Sequence, residues 1–128
     1  MGFLKNWQPQ LLSLFRIVAG LLFLEHGMAK LVHFPHVPMF DGLQIMSMIG
    51  IAGILELVGG FLLTIGLFTR ITAFILSGEM AVAYFTVHFP QNFFPVINQG
   101  EPAVFYCFAF LYLAAAGPGP WSVDSARG

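Results

Sequence analysis

The chain has 128 residues, of which 58% are hydrophobic, 16% aromatic and only 9% charged, with a formal net charge of -1 and a mean hydropathy of +0.83. A soluble domain of this size needs a polar skin of roughly 25% charged residues, which these charges do not supply, so the composition places the chain in a lipid bilayer. The near-neutral charge leaves no basic stripe for phosphates and excludes nucleic acid as a partner. Cys107, alone, can form neither an internal disulfide nor a CxxC dithiol. At about 20 residues per crossing, there is room for about four spans, and 1–128 reads as a single membrane domain.

The first apolar stretch, about 11–32, follows Lys5, Trp7 and Pro9. It lacks a small-residue cleavage site and reads as a retained transmembrane helix. Further helices are expected over about 45–65, 71–89 and 102–116. The last spans roughly 22 Å at 1.5 Å per residue, so it needs a thinned bilayer or close neighbours. Breakers mark the joints: Pro35 and Pro38, then Gly66, then Pro90 and Pro95, and finally Gly117-Pro118-Gly119-Pro120. The predicted fold is an all-α, four-helix antiparallel transmembrane bundle.

The short connection 66–70 predicts a tight hairpin between the second and third helices. The longer loops 33–43 and 90–101 fall together at the opposite end, where Phe34, Phe40, Phe93 and Phe94 can lay them against the membrane surface as a cap. An even number of spans puts both termini on one side. That side holds Lys5, Arg70 and Arg127 with Arg16 nearby, against Lys30 alone on the other, so the positive-inside rule predicts cytoplasmic termini. Trp7 and Trp121 would then share one interfacial belt.

Charged side chains cost several kcal/mol each inside hydrocarbon, so they face protein and have partners. Helix one carries Arg16, Glu25, His26 and Lys30; helix two Glu56; helix three Glu79 and His88; and Glu101 opens helix four. At about 100° per residue, Arg16, Ala19, Phe23, His26 and Lys30 share one narrow stripe, and Glu25 falls opposite. Gly53, Glu56 and Gly60 share a face on which small residues allow close helix approach. Helix three presents two polar stripes, one through Thr72, Glu79, Ala83 and Thr86 and another through Ser77, Ala81, Tyr84 and His88. Counting depth along the helices brings Arg16, Glu56 and Glu79 together near the midplane, where two carboxylates on one guanidinium favour a retained proton. Glu25, His26, Lys30, His88 and Glu101 form a second polar group beneath the aromatic loops.

Several chemistries compete for these residues. The midplane charges read either as a structural ion-pair network or as a proton path or the polar end of a ligand pocket. Glu101-Pro102 suits a helix start. His26 and His88 read as interior histidines or donors to a ligand carbonyl rather than as ligands of metal or haem, and no Glu-x-x-His di-iron motif is present. Met46, Met48 and Met80 suit the walls of a flat apolar pocket. There is no nucleotide loop, zinc spacing or nucleophile elbow.

The polar pattern resembles the DoxX family of small four-helix bacterial membrane proteins over nearly the whole chain. It is carried by Arg16, Gly20, Phe23, His26-Gly27 and Lys30-Leu31, then by Glu56-Leu57, Gly59-Gly60, Leu63, Gly66-Leu67 and Thr69-Arg70. Met80, Ala83, His88, Gly100 and Glu101 follow, and Gly117-Pro118-Gly119 with Ser122 and Asp124 completes it. The resemblance implies a bacterial inner-membrane location and a role as membrane subunit of a thiosulfate:quinone oxidoreductase or membrane partner of enzymes of oxidative and thiol stress. A self-contained thiol relay does not suit a chain with Cys107 alone.

The leading expectation is therefore a membrane subunit of a quinone-linked redox system, binding a quinone-like apolar ligand. Arg16, Glu56 and Glu79 would set the interior polarity, while His26, Lys30, His88 and Glu101 would handle hydrogen bonds or protons. A small proton-coupled transporter, and a structural subunit packed against a protein partner or another copy of itself, are the alternatives. Whether the chain itself catalyses stays open.

Overall fold

The structure, a computed structural model, describes residues 1–127. All of its elements are helical: α1 (Gly2–Lys5), α2 (Gln8–Leu31), α3 (Met48–Ile65), α4 (Thr69–Ala83), α5 (Pro95–Asn98), α6 (Glu101–Ala116) and α7 (Val123–Arg127). A 3-10 turn, Pro38–Phe40, lies in the α2–α3 loop. α4 continues through a π turn, Tyr84–His88, and a 3-10 turn, Phe89–Gln91. Three helices are long and apolar enough to cross a membrane: Gln8–Leu31, Met48–Ile65 and Thr69–Gln91. With the shorter apolar α6 they form the expected helical bundle.

Local chemistry sets the boundaries. Proline sits in the first turns of α2 and α6, where its missing N–H costs nothing. Ser47 caps α3 by accepting the Gly50 N–H at 3.1 Å. Gly66 ends α3 at φ 74°, a left-handed conformation that glycine adopts without a steric penalty. Its N–H returns to Leu62 and Leu63 carbonyls, and the chain reverses directly into α4.

Two antiparallel pairs build the bundle, α2 with α3 and α4 with α6. The first is a backbone-to-backbone contact lined by glycine. A Cβ on Gly20 would stand 2.6 Å from Thr64 N, on Gly27 2.4 Å from Leu57 N, and on Gly60 2.3 Å from Leu24 N. Those distances are shorter than any side chain tolerates, so the small residues are spent inside this chain, on the close approach they permit in a membrane. In the second pair, Ser77 donates to the Cys107 carbonyl at 2.7 Å. The pairs join through Phe23, whose ring meets Phe110 and Tyr106 edge-on at 4.7 and 4.8 Å, over a core that includes Leu63, Leu76 and Leu113. The outer surface carries exposed Leu14, Val18, Phe61, Phe74, Phe105 and Phe108. In water such a surface would drive aggregation; in hydrocarbon it is ordinary solvent contact.

Candidate functional site

Arg16 and Asp124 lie at one end of the bundle, and Lys30, Glu56 and Glu79 toward the other. At the hairpin end, the fully buried Arg16 donates from Nε to the Leu63 carbonyl at 2.8 Å, from Nη2 to the Trp121 carbonyl at 2.7 Å, and from Nη1 to the Pro118 carbonyl. It therefore does not join Glu56 and Glu79 near the midplane, as depth counting suggests. The reason is side-chain direction: helical side chains lean toward their own N-terminus, which carries Arg16 away from the bundle centre. The same lean carries Lys30, at the far end of α2, inward toward Glu56.

Around Arg16 the segment after α6 is tied across the hairpin. The Ser13 hydroxyl accepts the Trp121 N–H at 3.1 Å. Asp124 accepts the Phe68 and Thr69 N–H groups, each at 2.9 Å, and its own N–H donates to Gly66 O. Burial pushes the Asp124 carboxyl up, but bonds from the Thr69 and Phe68 N–H groups, with the nearby Thr69 side chain and the charge of Arg127, outweigh it and hold the group below its ordinary value. Arg70 donates to the Ala114 and Ala115 carbonyls, the exposed acceptors at the end of α6. Arg16, Gly66, Thr69, Arg70, Gly117, Pro118, Gly119, Ser122 and Asp124 thus make up one structural clasp.

At the other end lies a cavity of about 540 Å³. Phe23, Ala52, Leu55, Met80, Ala83 and Ala103 supply apolar wall; Met39, Phe40 and Met48 come from the α2–α3 connection and the start of α3. His26, Lys30, Glu56, Glu79 and His88 line it together. Lys30 Nζ stands 2.6 Å from Glu56 Oε1, with side-chain exposures of 13% and 3%, so this ion pair is largely withdrawn from its surroundings. The ammonium also lies 5.8 Å from the centre of the Phe40 ring, a cation–π contact with the capping loop. Glu79 sits beside Glu56 and within the field of Lys30. Yet both of its buried carboxylate oxygens lack a hydrogen-bond partner. Of the two carboxyl groups in this cluster, Glu56 alone pairs with the ammonium.

The histidines share one arrangement. His26 Nδ1 donates to the Leu22 carbonyl at 2.7 Å, and His88 Nδ1 to the Asn98 carbonyl at 3.0 Å. A carbonyl only accepts, so each Nδ1 carries a proton, and Nε2 is the ring nitrogen left for a ligand. Asn98, 1% exposed, is a residue that sequence reasoning missed. Its amide donates to Tyr84 Oη and the Asn92 carbonyl and accepts the Gly100 N–H, fixing the loop that holds His88. The run Asn98-Gln99-Gly100 closing the apolar stretch 93–97 was the available signal, and the structure has Gln99 at φ 61°. Tyr106, also unnoticed, lines the cavity and stands 6.4 Å from the His26 ring.

Glu101 lies outside this cavity, in a shallower groove with Phe94, Pro95, Val96, Val104 and Phe105. It opens α6 beside Pro102, as a helix start favours. Among the described residues, no group of three or more His, Cys, Asp or Glu side chains converges as a metal-ligand set.

Long apolar helices with an ion pair buried between two of them define a multi-pass helical membrane protein. The DoxX family profile matches residues 11–89. A protein of Haemophilus influenzae, described as an uncharacterized protein, is 42% identical over 130 residues, covering 98% of this chain and 96% of the relative. The chain belongs to the DoxX family. No solved structure matches it.

Proposed function

We propose that the protein is the membrane subunit of a quinone-linked redox system and holds a quinone-like, lipid-soluble ligand in the cavity beside Lys30, Glu56 and Glu79. One observation carries the reading: an apolar cavity of about 540 Å³ with an ion pair and an unpartnered carboxylate in its wall. Ligand sites commonly combine a mostly apolar wall with a few convergent polar groups. The Lys30 ammonium keeps donors for a ring carbonyl; Glu79 and the His26 and His88 Nε2 atoms accept from a ring hydroxyl. Arg16 takes no part in this reading, and Glu101 stands apart from the ligand. Placement in a bacterial inner membrane with cytoplasmic termini is supported by Lys5, Arg70 and Arg127 at the clasp end.

The test is thermal unfolding of the nanodisc-embedded protein with a short-chain benzoquinone. A ligand at 100 times its Kd stabilises by about 2.7 kcal/mol, so a clear rise in Tm is expected and should disappear in Lys30→Met. No shift at saturating quinone, together with native mass spectrometry showing none co-purified, overturns the proposal.

The unpartnered Glu79 carboxylate also suits a proton-coupled transporter, in which protonation and release at Glu79 accompany solute movement. That reading requires solute uptake in proteoliposomes that Glu79→Gln abolishes while the fold survives. Undiminished uptake in Glu79→Gln overturns it.

A further inference from the structure

Away from the hairpin, close contact between α3 and α4 gives way to residues that line the cavity. Gly59 of α3 meets Leu76 of α4 so closely that a Cβ would stand 2.9 Å from Leu76 Cδ1. One turn further out, Glu56 and Glu79 lie side by side. One turn beyond that, Ala52 and Ala83 are cavity wall. On the same flank Ile51, Leu55, Ile75 and Val82 line the cavity and are also exposed on the apolar outer surface. Residues that belong to both surfaces form the rim of an opening, and this rim is apolar except for Thr86, whose hydroxyl is satisfied by the Val82 carbonyl. Between Ile75 and Val82 along α4 comes Gly78, which lines the cavity, is exposed, and has nothing within 4 Å of a Cβ placed on it. Unlike Gly20, Gly27 and Gly60, it is not consumed by helix packing. Glycine in a helix interior costs roughly 1 kcal/mol against alanine, and here no close contact requires it.

We infer that Gly78 keeps a lateral portal open between α3 and α4, through which a lipid-soluble ligand passes from the hydrocarbon to the Lys30–Glu56–Glu79 group. This rests on the ligand-binding reading above and adds to it a route, a ligand class restricted to molecules that partition into lipid, and a residue that controls passage. A side chain at position 78 narrows the opening without touching the polar groups that hold the head of the ligand.

The experiment uses the full chain in nanodiscs, with Phe40→Trp as a reporter at the cavity wall and a decyl-tailed benzoquinone, which quenches tryptophan, as the probe. Stopped-flow traces give association and release rates. In the reporter background, Gly78→Leu is expected to slow both rates about tenfold with their ratio unchanged, the result of a passage barrier raised by about 1.4 kcal/mol. Gly78→Ala should fall between, and Val58→Leu, exposed on α3 but outside the cavity lining, should match the reporter protein. Both position-78 variants remove a helix-breaking residue in open space, so the fold is expected to survive. Unchanged rates in Gly78→Leu, or a change in affinity alone, overturn the portal. So does the converse pattern, in which Met39→Trp at the loop end slows both rates and Gly78→Leu does not. If the reporter protein shows no quenching at any quinone concentration, the ligand reading itself fails and the portal with it, a result distinct from binding with unaltered rates.

Discussion

The two polar ends of this bundle spend their charges in opposite ways. At the hairpin end, Arg16 meets three backbone carbonyls and Asp124 meets two backbone N–H groups, so charge is matched by dipoles that the chain itself supplies. At the cavity end, Lys30 and Glu56 pair while Glu79 keeps two buried oxygens without partners, beside open volume. Saturated polar groups stabilise one conformation; a buried group without a partner carries a desolvation cost that a ligand or proton can relieve. The clasp is therefore read as architecture and the cavity as a place for chemistry.

The largest expected effect breaks the first half of that comparison. Arg16→Ala leaves three carbonyls without donors at about 1–3 kcal/mol each, so the bundle should lose about 3 kcal/mol or more, seen as a steep fall in Tm in detergent. Arg16→Lys should recover only part of it, because an ammonium cannot reproduce the guanidinium fork. A fully stable Arg16→Ala would show that the clasp holds nothing.

Glu56→Leu comes next. Removing one member of a buried ion pair typically costs about 3–5 kcal/mol because the other charge is stranded, and Lys30 is 13% exposed at its side chain. The double variant Glu56→Leu with Lys30→Met should restore much of the loss. Failure of that rescue in thermal unfolding would mean that the pair is not energetically coupled.

A smaller effect concerns pH. The Asp124 carboxyl is held below its ordinary value in the folded protein, so its contribution is present at neutral pH and declines as pH falls through the ordinary carboxylate range toward the folded value. Tm measured at neutral and at acidic pH should therefore converge between the parent protein and Asp124→Asn as the pH drops. A gap that persists in acid would assign the stabilisation to something other than the ionised carboxylate.

Glu79→Gln should change stability least, since it replaces a carboxyl group that has no hydrogen-bond partner. Tm is expected to hold or rise, while quinone-dependent stabilisation falls. A loss of Tm as large as that of Arg16→Ala would make Glu79 architectural too.

The bundle was legible because hydropathy and breakers act locally. The expected helices at about 11–32, 45–65, 71–89 and 102–116 correspond to Gln8–Leu31, Met48–Ile65, Thr69–Gln91 and Glu101–Ala116. The face carrying Gly53, Glu56 and Gly60 was legible from spacing, and its partner proved to be α2, the only neighbour whose own Gly20 and Gly27 allow such an approach among the contacts described. Of the site residues, His26, Lys30, Glu56, Glu79 and His88 line one cavity, while Arg16 belongs to the clasp and Glu101 to another groove. The error with Arg16 has a single physical source. Depth along a helix locates a Cα, but the charge sits several ångströms away along a side chain that leans toward the N-terminus.

By itself the sequence determined the solvent, the number of apolar helices and the short list of charges that hydrocarbon would not tolerate unpaired, because each follows from transfer free energies that act residue by residue. Only the tertiary structure decided which charge meets which. Two of the three carbonyls that Arg16 meets arrive only when the segment after α6 folds back over the hairpin, and Glu79 has no hydrogen-bond partner although Glu56 of α3 lies beside it. Both outcomes depend on residues distant in the chain, so no local pattern records them.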